Sequence, residues 1–246
     1  MNYAEVLSFG GGVNSVALAI MAINDGWRGE IVFSDTGAEW PETYCFMDYF
    51  QREWLRPRGF EVVRLGPKQT HQSDKSIGVY SLIDYCEARG LTPFPAMRWC
   101  TINWKVRPVE QYRNGKSQML GIAADESHRQ PDAVRPLVEA GVTREGCIEI
   151  IEAAGLDVPQ KSGCYICPFQ RNDQWRMLRE RHPELFERAM ALEDASSKRR
   201  NGRVSTLDPS GKVTLRQRLL AYESQMTLPE IDMDDLLRYK PCICTR

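Results

Sequence analysis

The sequence predicts an α/β fold, an open and mostly parallel sheet flanked by helices, followed by a helical, cysteine-bearing C-terminal region. Three observations carry this. Apolar strand-type runs alternate with helix-period segments from the start of the chain, in the order β-α-β-α-β, which argues parallel pairing with right-handed crossovers. Strand-like runs end in turns rich in glycine, acidic or small polar residues, where open α/β sheets take ligands. From about residue 136 the alternation gives way to helices and spaced cysteines. The predicted division is 1–135 for the α/β unit and 136–246 for the helical region.

The first strand is the run at Val6 and Leu7, and the helix from Val16 to Ala22 follows it, closed by Gly26. Between them lies Ser8-Phe9-Gly10-Gly11-Gly12-Val13-Asn14-Ser15. Three glycines permit positive φ and bring bare N–H groups close to a ligand. Asn14 or Ser15 can cap the helix, whose N-terminal dipole favours an anion. The loop has no Gly-Lys-Ser/Thr ending and does not follow the dinucleotide glycine spacing. By itself it reads equally well as a tight strand-to-helix connection.

Glu30–Ser34 is the second strand, running into Asp35-Thr36-Gly37-Ala38-Glu39, with a helix starting near Pro41. Tyr44, Met47, Phe50 and Trp54 recur at helical spacing and read as core. Residues 60–65 form a third strand. The polar stretch 66–79, with His71, reads as a loop that closes over a substrate or as a solvated linker. In residues 97–108 basic and aromatic side chains alternate around Cys100, and Arg98, Lys105 and Arg107 suit phosphate or sulfate. A fourth strand at 118–123 ends in Asp125, Glu126 and Arg129, at the ligand edge or at a capped helix start.

In the second region Thr143 caps a helix through Ala154, ended by Gly155. Cys147 shares a face with Ile151 and Ala154 and can point inward, as a ligand or as a small buried hydrophobe. Cys164 and Cys167 form a Cys-x-x-Cys turn able to place two thiolates on one metal or cluster. Helices follow at 172–181 and 183–195. The stretch 196–213 reads as an exposed loop whose Lys198, Arg199, Arg200 and Arg203 are a solvated face or touch a nucleic-acid backbone.

With 246 residues the chain can bury a sizeable core. A net charge of −1 excludes a global basic field. No apolar run approaches a membrane span and the N-terminus lacks a signal-peptide pattern, so a cytoplasmic protein with no membrane partner is expected. Eight cysteines in a reducing compartment point to metal or redox chemistry rather than disulfides.

Taken in series, the Ser8–Ser15 loop, Ser34–Glu39, Arg98–Pro108 and Gly121–Arg129 resemble the phosphoadenosine phosphosulfate reductase-like branch of the PP-loop (adenine nucleotide alpha hydrolase) superfamily. The resemblance implies a Rossmann-like HUP sheet binding an adenine nucleotide, ATP with Mg²⁺, along one edge. Ser8, Gly10, Gly11, Gly12, Asn14, Ser15, Asp35, Thr36, Gly37, Arg98 and Arg129 would bind it, and Asp35, Lys105, Arg107 and Asp125 would serve the chemistry. The cysteines resemble those of the iron–sulfur members, which implies a [4Fe–4S] cluster on Cys100, Cys164 and Cys167, with Cys147, Cys242 or Cys244 as fourth ligand or with one iron left open. Zinc would accept four thiolates equally well.

The chain departs from the family at three points. Asn14 stands where the loop's acidic residue is usual, Cys100 is not paired, and the tail lacks the reductases' Glu-Cys-Gly-x-His segment. The activity expected is therefore a PP-loop pyrophosphatase-type enzyme, one that adenylates an acceptor for cluster-assisted sulfur transfer or reduction. The acceptor is a nucleic acid or a small molecule, and a thiol or sulfur-donor protein is the second partner. The alternatives are a thiol-dependent sulfonucleotide reductase and a non-catalytic nucleotide-binding module.

Overall fold

A computed structural model describes residues 1–66, 81–95, 97–129, 131–199, 206–208 and 211–225. Its centre is a four-stranded sheet in the order β3-β2-β1-β4, parallel throughout. The strands are β1 (Val6–Ser8), β2 (Glu30–Ser34), β3 (Val62–Leu65) and β4 (Gln118–Leu120). Leu7 of β1 pairs with Ile31 on one side and Met119 on the other, so β1 has no open edge and is almost wholly apolar. The chain winds from β1 to β3 in one direction, then returns to place β4 on the far side of β1. The gap between the C-terminal ends of β1 and β4 is thus a topological switch point, where such sheets take ligands.

Helix α1 (Val13–Asn24) buries nine of its twelve residues, which include Val16, Leu18 and Ile20. Each large side chain so buried is worth about 1.5–3 kcal/mol. α2 (Pro41–Phe50) starts on Pro41 as expected and continues through a π turn (Gln51–Leu55) and a 3₁₀ turn (Arg56–Arg58). Proline explains the change of pitch. Pro57 has no N–H to give and its ring crowds the carbonyl four residues back, so the Arg56 N–H bonds five residues back, to Gln51. Phe50 stacks on Phe9, Phe46 and Trp54, which makes the expected aromatic stripe core.

After α3 (Leu82–Arg89), a helical stretch from Trp99–Thr101 passes a second π turn (Ile102–Val106) into α4 (Arg107–Arg113). The short α5 (Pro136–Glu139) leads to α6 (Arg144–Ala153), capped by Thr143 Oγ1, which accepts the Gly146 N–H. α7 (Asn172–Arg181), α8 (Pro183–Arg199) and α9 (Leu215–Gln225) complete the described chain.

Three apolar clusters form among the described residues, and the two larger each draw on both sides of residue 135. α6 packs on α1, so Leu137, Cys147 and Ile151 belong to the first core with Leu7 and Phe50. Leu82, Ile83, Cys86 and Trp104, from the first half of the sequence, join Trp175, Phe186 and Leu192 in the second. The expected exposed loop from 196 is also corrected: α8 runs on to Arg199 with Ser196 buried, and Thr206, Leu207 and Asp208 are buried too. The buried Glu193 carboxylate holds this part, accepting the Leu207 N–H at 2.6 Å and the Leu215 N–H at 2.7 Å. His71, Arg200, Arg203, Cys242 and Cys244 lie outside the described residues. Among the described residues no helix is long and apolar enough to cross a membrane.

Candidate functional site

The switch point opens into a cleft of about 390 Å³ lined on one wall by Ser8, Gly10, Gly12, Asn14 and Ser15. Neither Asn14 nor Ser15 caps α1. The N-cap is Gly12, with no side-chain cap bond, so the first N–H groups of the helix are left to a ligand. Ser15 Oγ folds back instead, accepting the Gly10 N–H at 3.2 Å and donating to Gly12 O at 2.9 Å, which fixes the shape of the loop. Gly11 takes φ +68° and turns away from the cleft, against Thr43 and Met47 of α2. The opposite wall requires Gly121: a Cβ there would lie 2.7 Å from the Ser15 backbone nitrogen.

Three cations line the cleft: Arg129, Arg144 and Lys161. Arg129 pairs with Glu126 at 3.3 Å, and Glu126 also accepts from Asn14 Nδ2 at 3.2 Å. Asn14 Oδ1 is buried with no hydrogen-bond partner. Asp125 points elsewhere and accepts the Arg144 N–H at 3.1 Å, tying the turn after β4 to the start of α6. It positions Arg144 rather than facing the cleft. Arg144, Lys161 and Ser162 are cleft residues that sequence reasoning did not single out, because they come from the helical region. The signal available was a basic residue at a helix start and another just before the Cys-x-x-Cys turn.

The turn after β2 builds a different site. Asp35 lies outside the cleft lining, its carboxylate accepting four bonds: from the Gly37 N–H, from Tyr44 OH, and from Arg64 Nε and Nη2, all at 2.7–2.9 Å. It therefore organises its own turn, with Gly37 at φ +68°. Glu39, whose Oε1 accepts from the Thr36 hydroxyl at 3.1 Å, faces Lys105. Proline again sets the geometry. Pro108 cannot bond the Trp104 carbonyl, so the Arg107 N–H reaches back to Ile102, and Ser34 Oγ donates to Trp104 O at 2.7 Å. The π turn is thereby docked on the end of β2, and Lys105 Nζ lies 2.9 Å from Glu39 Oε1. Burial works against the Lys105 ammonium, but the Glu39 carboxylate outweighs it and raises the pKa above the ordinary lysine value. Arg98 stands exposed in the left-handed region at φ 45°, and Arg107 bonds Asn103 on the surface. Neither lines the cleft.

Cys164 completes this second site. Its Sγ lies 3.2 Å from Thr36 Oγ1 and 3.6 Å from Glu39 Oε1. Burial, and then the Glu39 charge, push its thiol pKa well up. Cys100 and Cys167 are half-buried against the same core, which also holds the fully buried Cys86. Cys147 is in the other core, beneath α1. Of the two readings of Cys147, its place in that core supports the small apolar side chain filling the α1–α6 interface. Among the described residues no three Cys, His, Asp or Glu side chains converge as a single metal ion requires. The thiols of Cys100, Cys164 and Cys167 share one region and are, as donors, of the kind that iron–sulfur groups use.

A parallel sheet with a glycine loop and three cations at its switch point defines an α/β protein with a cation-lined cleft. The family model described as phosphoadenosine phosphosulfate reductase domain matches residues 4–129, just over half of the chain, and the protein belongs to that family. An uncharacterised protein of Methanocaldococcus jannaschii is 26% identical over 212 residues, covering 76% of this chain and 47% of its own length. The chain thus spans about half the length of that curated relative. A crystal structure of phosphoadenylyl-sulfate reductase from Candida auris, in complex with phosphate, aligns with a TM-score of 0.43 at 12% identity, over 66% of this chain and 82% of that one.

Proposed function

We propose that the protein is an ATP-using enzyme that holds the nucleotide's phosphates at the β1/β4 switch point and adenylates an acceptor for sulfur transfer or reduction. The observation that carries this is the convergence of the uncapped N-terminus of α1 with Arg129, Arg144 and Lys161 in one cleft. An acceptor oxygen attacks the α-phosphorus, the bond to the β-phosphate oxygen breaks, and pyrophosphate leaves with its new charge held by helix N–H groups and the three cations. Asn14, with an unpartnered Oδ1, would orient a donor group of the ligand. Its lack of charge removes the repulsion that a carboxylate at this position would impose on phosphate.

Cys100, Cys164 and Cys167 would hold an iron–sulfur cluster, which when bound supplies redox or sulfur-handling chemistry near the activated atom. Lys105 and Glu39 keep Cys164 in place, and Thr36 donates or accepts at its sulfur. The nucleic-acid or small-molecule acceptor, the sulfur-donor protein and a cytoplasmic location belong to the same proposal.

Anaerobically purified full-length chain, incubated with ATP and Mg²⁺, is expected to bind ATP and release AMP and pyrophosphate once acceptor is supplied. Sulfite release from phosphoadenylyl sulfate with no need for ATP would overturn the reading in favour of the reductase. Binding of either nucleotide with no turnover would favour the non-catalytic module. Iron and sulfide analysis with an optical spectrum tests the cluster; one zinc per chain without sulfide would remove it.

A further inference from the structure

Lys161 and Ser162 line the cleft, while Cys164, two residues on, lies in the thiol site. Between the two the chain is paired rather than looped. The Trp40 N–H donates to Gly163 O at 3.0 Å, the Tyr165 N–H donates to Ala38 O at 2.9 Å, and Glu39 and Cys164 are antiparallel bridge partners. Two backbone bonds flanking one residue pair leave the segment little freedom to move at one end alone.

Both ends are in close contact with their sites. At the cleft, a methyl group on Gly12 would lie 2.6 Å from Ser162 Oγ, so a group entering beside Gly12 meets Ser162. Lys161 Nζ is held by Gln174 Oε1 at 3.3 Å. At the other end Cys164 Sγ meets Thr36 Oγ1, and the Thr36 hydroxyl bonds Glu39 Oε1 at 3.1 Å.

We propose that Lys161–Cys164 is a relay strand: Lys161 and Ser162 grip a polyphosphate anion in the cleft, and the bridge to Glu39 carries that contact to the Cys164 thiol. The proposal rests on the nucleotide-binding reading of the cleft. Because coupling between two sites is reciprocal, it is measurable from either end.

The test uses the full-length chain with inorganic pyrophosphate as probe. Calorimetry measures binding, and hydrogen exchange reads the Trp40 and Tyr165 amides. Bound pyrophosphate is expected to slow exchange at both amides by about tenfold. Thr36→Val, which removes the hydroxyl from Cys164 and lies outside the cleft, is expected to weaken pyrophosphate binding by about fivefold. Gly12→Ala, at a backbone conformation alanine adopts freely, is expected to push Ser162 away and speed exchange at the same amides without ligand. Pyrophosphate that fails to bind overturns both the nucleotide reading and the relay. Pyrophosphate that binds without slowing those amides overturns the relay alone. So does unchanged binding in Thr36→Val, or unchanged exchange in Gly12→Ala.

Discussion

The cleft beside the glycine loop and the pocket around Cys164 lie beyond the ends of neighbouring strands, and charged side chains line both, yet they use those charges differently. In the cleft, Arg144 and Lys161 make no ion pair among the described residues, and Arg129 has only a long, exposed contact to Glu126. Around Cys164 the Glu39 carboxylate, the Thr36 hydroxyl and the Cys164 sulfur contact one another within 3.6 Å, and the Lys105 ammonium closes on Glu39 at 2.9 Å. Unpaired cations around free helix N–H groups suit an anion. A closed set of partners holds its members in position.

The comparison fails first at Gly121 if the cleft is not built as described. Gly121→Val drives a side chain into the backbone of Ser15 and is expected to cost about 3 kcal/mol of stability and to abolish ATP binding. A denaturant midpoint and a calorimetric titration check both. Lys105→Met is the matching break in the thiol pocket, since it leaves the buried Glu39 carboxylate unpaired. The expected loss is about 2 kcal/mol, below that for a fully buried pair because Lys105 is 41% exposed. The double variant Glu39→Gln/Lys105→Met should recover most of it, measured by urea unfolding.

A smaller effect separates ligand-binding cations from structural ones. Arg144→Ala and Lys161→Ala should each weaken ATP or pyrophosphate about tenfold, the value of one charge-assisted hydrogen bond, while melting temperatures stay near the parent. Reactivity sharpens the contrast further. In metal-free chain at pH 8, Cys164 should alkylate at least about tenfold more slowly than the half-buried Cys100, because its raised pKa keeps it a thiol. Its labelling should rise with pH, and Glu39→Gln should speed it by removing the adjacent negative charge. Cys147→Ala is expected to cost only about 1 kcal/mol and to leave iron content unchanged, whereas Cys167→Ala should lower it.

Much of the fold was legible because it depends on local patterns. The apolar run Glu30–Ser34, Pro41 at a first turn, the Thr143 cap and the 172–181 helix need no distant partner to be recognised. The glycine loop was legible as a strand-to-helix turn, but its cap was not. Ser15 has both a helix N–H and the loop's own backbone within reach, and only the folded turn shows that it serves the loop. Asp35 and Asp125 were read as chemical groups because carboxylates after strands face ligands in such sheets. The folded chain gives them Arg64, Tyr44 and the Arg144 amide as partners.

By itself the sequence determined the parallel α/β architecture, the position of the glycine loop and the aromatic core of α2. These follow from periodicity, turn chemistry and the conformational freedom of glycine, all of which act over a few residues. Only the tertiary structure decided which cations share the cleft, which cysteines share a core, and which carboxylates are already bonded. Those outcomes are set by contacts across more than a hundred residues, as when Cys164 meets Thr36 or Ser162 meets Gly12. No spacing along the chain encodes them.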